Sequence, residues 1–244
     1  MKDLLTDIVS HTHSLGFLSL VKITSEEDSD IKIESMAEDR SVILNATTSA
    51  NIQEFQGTFG MPNLDKLALH LKNPEYQEDA KIEVITGQRN GATIPVSLHF
   101  ENKTGDFQND YRFMNTEIIN EKMKSVKFKG AKWDIEFEPT IASISRLKLQ
   151  ATANSDASVF QVKTENNNLV FSFGDANTHA GSFVFEHNIM SSLKHTWSWP
   201  IQQIMSILTL SGDKTMRIAD IGAMMISVNS GICQYDYILP AQTK

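Results

Sequence analysis

A single cysteine, Cys233, stands in the whole chain, so neither an intrachain disulfide nor a cysteine-built metal cage can form. It reads as a small apolar filler in a strand. No apolar run approaches the roughly 18 residues that suggest a membrane-spanning helix. The N-terminus, Met1-Lys2-Asp3-Leu4-Leu5-Thr6-Asp7, carries acids where a secretion signal is basic. A cytoplasmic protein without membrane partners is expected. A basic excess is missing too. The formal net charge is −8, which excludes a surface basic all over but not cations confined to one face.

Signatures of catalysis are equally scarce. There is no nucleophile elbow, no phosphate-cradling glycine loop and no His-Glu-x-x-His. The seven histidines show no ligand spacing beyond His11-x-His13. Positions i and i+2 of a helix point to different faces, so both read as surface or cap residues. Phe171-Ser172-Phe173-Gly174-Asp175 reads as a strand end with its turn, and Glu26-Glu27 as part of a solvated turn. No enzyme, metal or cofactor is expected.

What the sequence does contain is a repeat of element order. Leu4, Leu5, Ile8 and Val9 place a short amphipathic helix over 3–14. Strands are expected over Phe17–Ile23, Ile31–Met36, Val42–Thr47 and Glu54–Phe59. Pro62 then opens a helix with Leu64, Leu67, Ala68 and Leu71 on one side, which Asn73-Pro74 stops. Lys81–Thr86, Ile94–Phe100 and Phe107–Met114 complete the half. The second half follows the same plan. Trp133–Phe137 leads into a helix from Pro139 to about Thr152, with Ile144, Leu147 and Ala151 as its apolar face. Strands Val159–Lys163, Leu169–Phe173, Gly181–Glu186 and Leu193–Trp199 precede a helix from Pro200 with Ile201, Ile204, Met205 and Leu208. Lys214–Ile218, Ala223–Val228 and Ile232–Leu239 close it. Trp197, Trp199, Phe183 and Phe185 alternate with polar residues, as half-buried strands do. The division expected is a first domain over 1–114, a connector over 115–132 and a second domain over 133–244. The connector's Lys122, Lys124, Lys127, Lys129 and Lys132 read as a solvated linker face.

Two similar α+β domains, each with antiparallel sheets backed by two helices, leave unpaired sheet edges that invite head-to-tail association. At this point the sequence resembles the DNA sliding clamps, the processivity factors of polymerases, and most closely those of tailed bacteriophages. The residues carrying the resemblance are Phe59-Gly60-Met61-Pro62-Asn63-Leu64-Asp65-Lys66-Leu67, the run from Met216 to Val228, and Ser230-Gly231-Ile232-Cys233-Gln234-Tyr235-Asp236-Tyr237-Ile238-Leu239-Pro240-Ala241. The last is the most specific. The resemblance implies the fold of proliferating cell nuclear antigen and a homotrimer closing into a pseudo-sixfold ring. It implies as partners duplex DNA held without sequence preference, a DNA polymerase and a clamp loader, in the host cytoplasm if the source is viral. The other reading is a ring-forming, β-rich structural phage protein that clamps no DNA.

The resemblance also implies sites. Helices line the hole of a clamp, and helical wheels place Lys66, Lys72 and Arg146 on polar faces, with Lys148 at a border it can reach past. These four are the expected phosphate contacts. The subunit interface maps onto Phe107, Tyr111 and Phe113 of one chain and Phe183 and Phe185 of the next. A partner-peptide groove maps between a connector wall of Ile118, Ile119 and Met123 and a tail wall of Tyr237, Leu239, Pro240 and Ala241. Exposed apolar residues in a linker and at a chain end have area to bury, which supports that groove independently.

Overall fold

A computed structural model gives the structure of the chain. It describes residues 1–244 apart from 27–28, 49–51, 90, 125–127, 176, 178 and 243–244. Glu27 of the expected acidic turn and Lys127 of the expected basic linker therefore lie outside the described residues. The chain divides into two compact units, residues 1–127 with 230–235, and residues 128–229 with 236–244. The sequence places no break at 230, yet the segment Ser230–Tyr235 belongs to the first unit.

Unit 1 begins with helix α1 (Lys2–His11) and a 3-10 turn (His13–Leu15). Strands β1 (Val21–Ser25), β2 (Ile31–Met36), β3 (Ile43–Thr48) and β4 (Gly57–Met61) follow, then α2 (Leu64–Lys72). β5 (Lys81–Arg89), β6 (Ala92–Glu101), β7 (Gln108–Arg112) and α3 (Thr116–Lys122) complete it. Two antiparallel sheets result, in orders β4-β1-β2-β3 and β5-β6-β7. The period-two pattern does its work here: Ile31, Ile33 and Ser35 of β2 are buried while Lys32 is exposed. Ile23 lies opposite Ile33 on one side and Phe59 on the other. Leu4, Leu5, Ile8 and Val9 of α1 and Leu64, Leu67, Ala68 and Leu71 of α2 are all buried, as their stripes require, and the two helices pack together.

Unit 2 holds β8 (Ile135–Phe137), α4 (Ile141–Ala153), β9 (Val159–Glu165), β10 (Asn168–Gly174), β11 (Ala180–Glu186), β12 (Trp197–Pro200) and α5 (Ile201–Leu208). β13 (Asp213–Ala219), β14 (Ala223–Asn229) and β15 (Gln234–Pro240) close the chain; β15 starts in unit 1 and ends in unit 2. One sheet runs β11-β10-β9-β12, and β13 lies between β14 and β8 in the other. An aromatic core fills the first sheet, with Phe171 stacked on Phe185 at 4.3 Å and Phe160 at 4.7 Å. Both repeats thus carry a helix, four strands, a helix and three strands.

Several boundaries differ from expectation, each for a local reason. Gly16 takes a left-handed φ of 86°, so Phe17–Leu20 is loop and β1 starts at Val21. Residues Gln53–Phe55 form a 3-10 turn ahead of β4. Pro62 does not open α2. Its carbonyl accepts from the Tyr111 hydroxyl, and left-handed Asn63 precedes the first helical residue. In α4 the hydroxyl of Thr140 caps the helix by accepting from the Ser143 amide at 3.0 Å. Only Trp197–Trp199 of the expected Leu193–Trp199 strand is extended in a ladder, and the strand runs on through Pro200, which caps α5 instead of opening it. The connector is not bare linker, because α3 occupies Thr116–Lys122.

α4 is also rotated from its expected apolar face. Ser143 and Leu147 are buried, while Ile144 and Ala151 are only half-buried. The cause is contact with β11: a side chain at Gly181 would meet the Gln150 amide, and Asn154 packs beside it. Ile141 and Leu149 are left at the centre of the exposed face, 86% and 70% accessible.

Candidate functional site

The helices carry the chain's cations in an uneven pattern. Lys66 and Lys72 are exposed on α2, as are Arg146 and Lys148 on α4. None of the four makes an ion pair within the described residues. Lys2 of α1 is engaged, donating to the Tyr76 carbonyl at 2.8 Å. His70, one turn beyond Lys66, has its pKa lowered by burial and then by the Lys66 charge, which keeps the ring uncharged at neutral pH. It is half-buried, 5.1 Å from the Phe100 ring. α1 and α2 together hold Lys2, Lys66 and Lys72 against Asp3, Asp7 and Asp65. α4 and α5 hold Arg146 and Lys148 and no carboxylate.

Each unit exposes a sheet edge where the interface residues were expected. β7 ends the sheet β5-β6-β7, and β11 ends the sheet β11-β10-β9-β12. The named aromatics serve mainly as core behind these edges. Tyr111 and Phe185 are buried, and Phe113 lies 4.5 Å from Phe59. Phe183 is half-buried, and Phe107 is 40% exposed beside Tyr76. The side chains that face outward on β7 are Gln108, Asp110 and Arg112.

The connector and tail residues are placed differently from expectation. Ile119 is fully buried: its side chain packs so closely on Gly60 that an added Cβ there would sit 2.8 Å from its Cδ1. Met123 is 9% exposed and lines a hollow of about 720 Å³ in unit 1 with Leu18, Leu20, Met36 and Met114. Ile118 alone of the connector wall is exposed, at 43%. In unit 2, Tyr237 and Leu239 are core, with the Leu239 carbonyl accepting from the Trp199 indole at 3.1 Å. Pro240 and Ala241 remain at the surface.

Beside them stands a residue that the sequence does not flag. Ile221, in the turn between β13 and β14, is 71% exposed. The Ala241 amide donates to the Gly222 carbonyl at 2.8 Å, holding the tail against this turn. Gly222 is obligatory: its φ is 83°, and a Cβ would strike the Trp197 ring at 3.0 Å. Asp220 fixes the turn, accepting from the Lys194 amide at 2.7 Å and the His195 amide at 3.1 Å. Burial would raise the Asp220 carboxyl, but these bonds and the charge of His195 leave it below its ordinary range. The result is a rigid apolar ledge of Ile221, Pro240 and Ala241.

A second unforeseen cluster joins α1 to the segment 230–235 within unit 1. His11 is buried, not at the surface, and stacks on Tyr235 at 4.3 Å. The Asp7 carboxylate accepts from Tyr235 at 2.7 Å and Ser230 at 2.9 Å. Thr48, at the end of β3, donates to the Ile232 carbonyl at 2.7 Å. Burial pushes the neighbouring Cys233 thiol up to about 11, which leaves it inert as a nucleophile. Among the described residues, no group of three or more His, Cys, Asp or Glu side chains could hold a metal, and no helix is long and apolar enough to cross a membrane.

No family model and no curated protein matches the sequence. Solved structures do match the fold. A structure described as the C-terminal region of FEN-1 bound to A. fulgidus PCNA covers 100% of this chain and 97% of its own, with TM-score 0.71 and 11% identity. PCNA from Thermococcus kodakaraensis covers 99% and 97%, with TM-score 0.67 and 10% identity. The proliferating cellular nuclear antigen of Entamoeba histolytica covers 99% and 94%, with TM-score 0.65 and 14% identity. Across its whole length, then, this chain has the two-domain α+β fold of the PCNA-type clamps.

Proposed function

We propose that the protein is a DNA sliding clamp, a non-enzymatic ring that encircles duplex DNA and tethers a polymerase to it. The observation that carries this reading is the clamp fold over the full chain, with a pair of packed helices in each repeat. The exposed cations Lys66, Lys72, Arg146 and Lys148 would meet phosphates without reading bases. Weak contact is enough, because topological linkage rather than affinity keeps a ring on DNA.

The open edges support assembly into a ring, which the clamp reading makes a homotrimer. Within the chain, the end of β3, the third strand of the first repeat, is met by the segment leading into the last strand of the second. The equivalent pair left open is β11, third strand of the second repeat, and β7, last of the first. Pairing β7 of one subunit with β11 of the next would repeat that junction head to tail, as a closed ring requires. The ledge at Ile221, Pro240 and Ala241, and Ile118 of the connector, supply apolar anchors for short peptides of a polymerase or clamp loader. The tailed-phage assignment rests on the sequence segments around Met216–Val228 and Ser230–Ala241.

The test is retention on DNA. Rings threaded onto a linear duplex should stay when both ends are blocked and escape when the ends are free. A trimer that leaves both substrates equally fast would favour the structural-ring reading.

A further inference from the structure

We propose that the two repeats do not share the duplex equally, and that the second repeat's helices form the principal phosphate-holding surface of the ring. This rests on the clamp reading and adds to it a division of labour. On α1 and α2, Lys2 is spent on the Tyr76 carbonyl and Asp7 on Tyr235 and Ser230, which leaves exposed Lys66 and Lys72 against exposed Asp3 and Asp65. At a polyanion, such a face attracts and repels in equal measure. α4 and α5 present Arg146 and Lys148 with no carboxylate on either helix. In a chain of net charge −8 this is a local reversal of sign, and phosphate affinity follows local rather than total charge.

The shape of this face fits the same ligand. An open groove of about 800 Å³ runs between the end of α4 and the start of α5, lined by Lys148, Thr152, Ser155, Gln202 and Gln203. An ammonium, hydroxyls and side-chain amides all donate to phosphate oxygens, and none reaches a base edge in doing so. Asp156 is the one carboxylate on the rim. Ile141 and Leu149, at the centre of the exposed α4 face with Arg146 and Lys148 on its flanks, suit the apolar edges of deoxyribose, which are alike in every sequence. In a trimer these contacts recur three times around the ring rather than six.

The experiment compares two neutralised pairs, Arg146→Gln with Lys148→Gln and Lys66→Gln with Lys72→Gln. Binding of assembled rings to a short open-ended duplex is followed by anisotropy across a salt series, with assembly checked by sedimentation. The second-repeat pair, two cations in each of three subunits, should flatten the slope of log affinity against log salt by up to about five, and the first-repeat pair should leave it nearly unchanged. Asp156→Asn should tighten binding. The exchange Arg146→Lys with Lys148→Arg should keep the slope, which separates charge from any structural effect. Equal flattening by both pairs, or a larger effect from Lys66 and Lys72, overturns the division of labour and leaves the clamp intact. A wild-type ring that shows no salt-dependent binding and no retention on end-blocked duplex would instead overturn the clamp reading itself.

Discussion

Asp7 is the residue on which the most distant parts of unit 1 converge. Its carboxylate is largely withdrawn from water, which by itself would raise its pKa. Hydrogen bonds with His11, Tyr235 and Ser230, and the charge of His11, together outweigh that and hold the pKa below the ordinary carboxylate value. A carboxyl depressed in the folded state adds stability above its unfolded pKa, and that stability is lost as pH falls through the folded value. Asp7→Asn should therefore lower the melting temperature at neutral pH and flatten its decline below about pH 4. An Asp7→Asn protein that retains the wild-type acid profile would show that another group governs it. Ile221 offers a residue-scale test of a different kind. It packs against little, so Ile221→Arg should leave the unfolding free energy within about 0.5 kcal/mol of wild type while weakening binding of a polymerase-derived peptide at least tenfold in calorimetry. Undiminished binding would put the partner surface elsewhere. Removing the tail after Ile238 is a poorer probe, because it deletes Leu239, whose carbonyl satisfies the buried Trp199 indole.

At the scale of elements, the strands and amphipathic helices were legible because a buried stripe or an alternating face leaves a periodic trace. Ile31–Met36 matches its expected bounds for that reason. α3 left no such trace: Thr116–Lys122 has only Ile118 and Ile119 as apolar residues, and its position is set by the Asn115 cap and the fit of Ile119 onto Gly60. The rotation of α4 was illegible too, since polar Gln150 and Asn154 mark its contact with β11. Of the candidate sites, the four helix cations could be placed on exposed faces from the wheel. The ledge at Ile221 could not, because a lone isoleucine in a turn carries no pattern. His11 misled for a related reason: its stacking partner, Tyr235, lies at the other end of the chain. Two element-scale tests follow. Thr140→Ala should cost about 1 kcal/mol by uncapping α4, read from denaturant midpoints; no change would mean that tertiary contacts alone fix its start. On β11, neighbouring amides alternate between bonding β10 and pointing off the edge. Of Ser182→Pro and Phe183→Pro, one should disrupt folding and the other should weaken assembly in a folded subunit. If the variant that folds remains trimeric on dilution, β11 is not the joining edge.

For the molecule as a whole, charge and topology act together. On the clamp reading, the net charge of −8 discourages indiscriminate attachment to nucleic acid, while ring closure would convert weak local contact into long residence. Loading should be far more salt-sensitive than retention, because only the first depends on attraction before closure. Measured side by side, the salt dependence of the escape rate from end-blocked duplex should be small beside that of initial capture. Equal dependence would indicate a protein held by affinity rather than by linkage.

The return of Ser230–Tyr235 to unit 1 has a bearing on synthesis. The partners of Asp7 and Thr48 emerge from the ribosome long after α1 and β3; Tyr235 follows Asp7 by 228 positions. Domains of a nascent chain ordinarily fold in order, the first while the second is still being made. Here the first unit cannot be completed until Ser230–Tyr235 has followed most of the second, so the first waits on synthesis of the second.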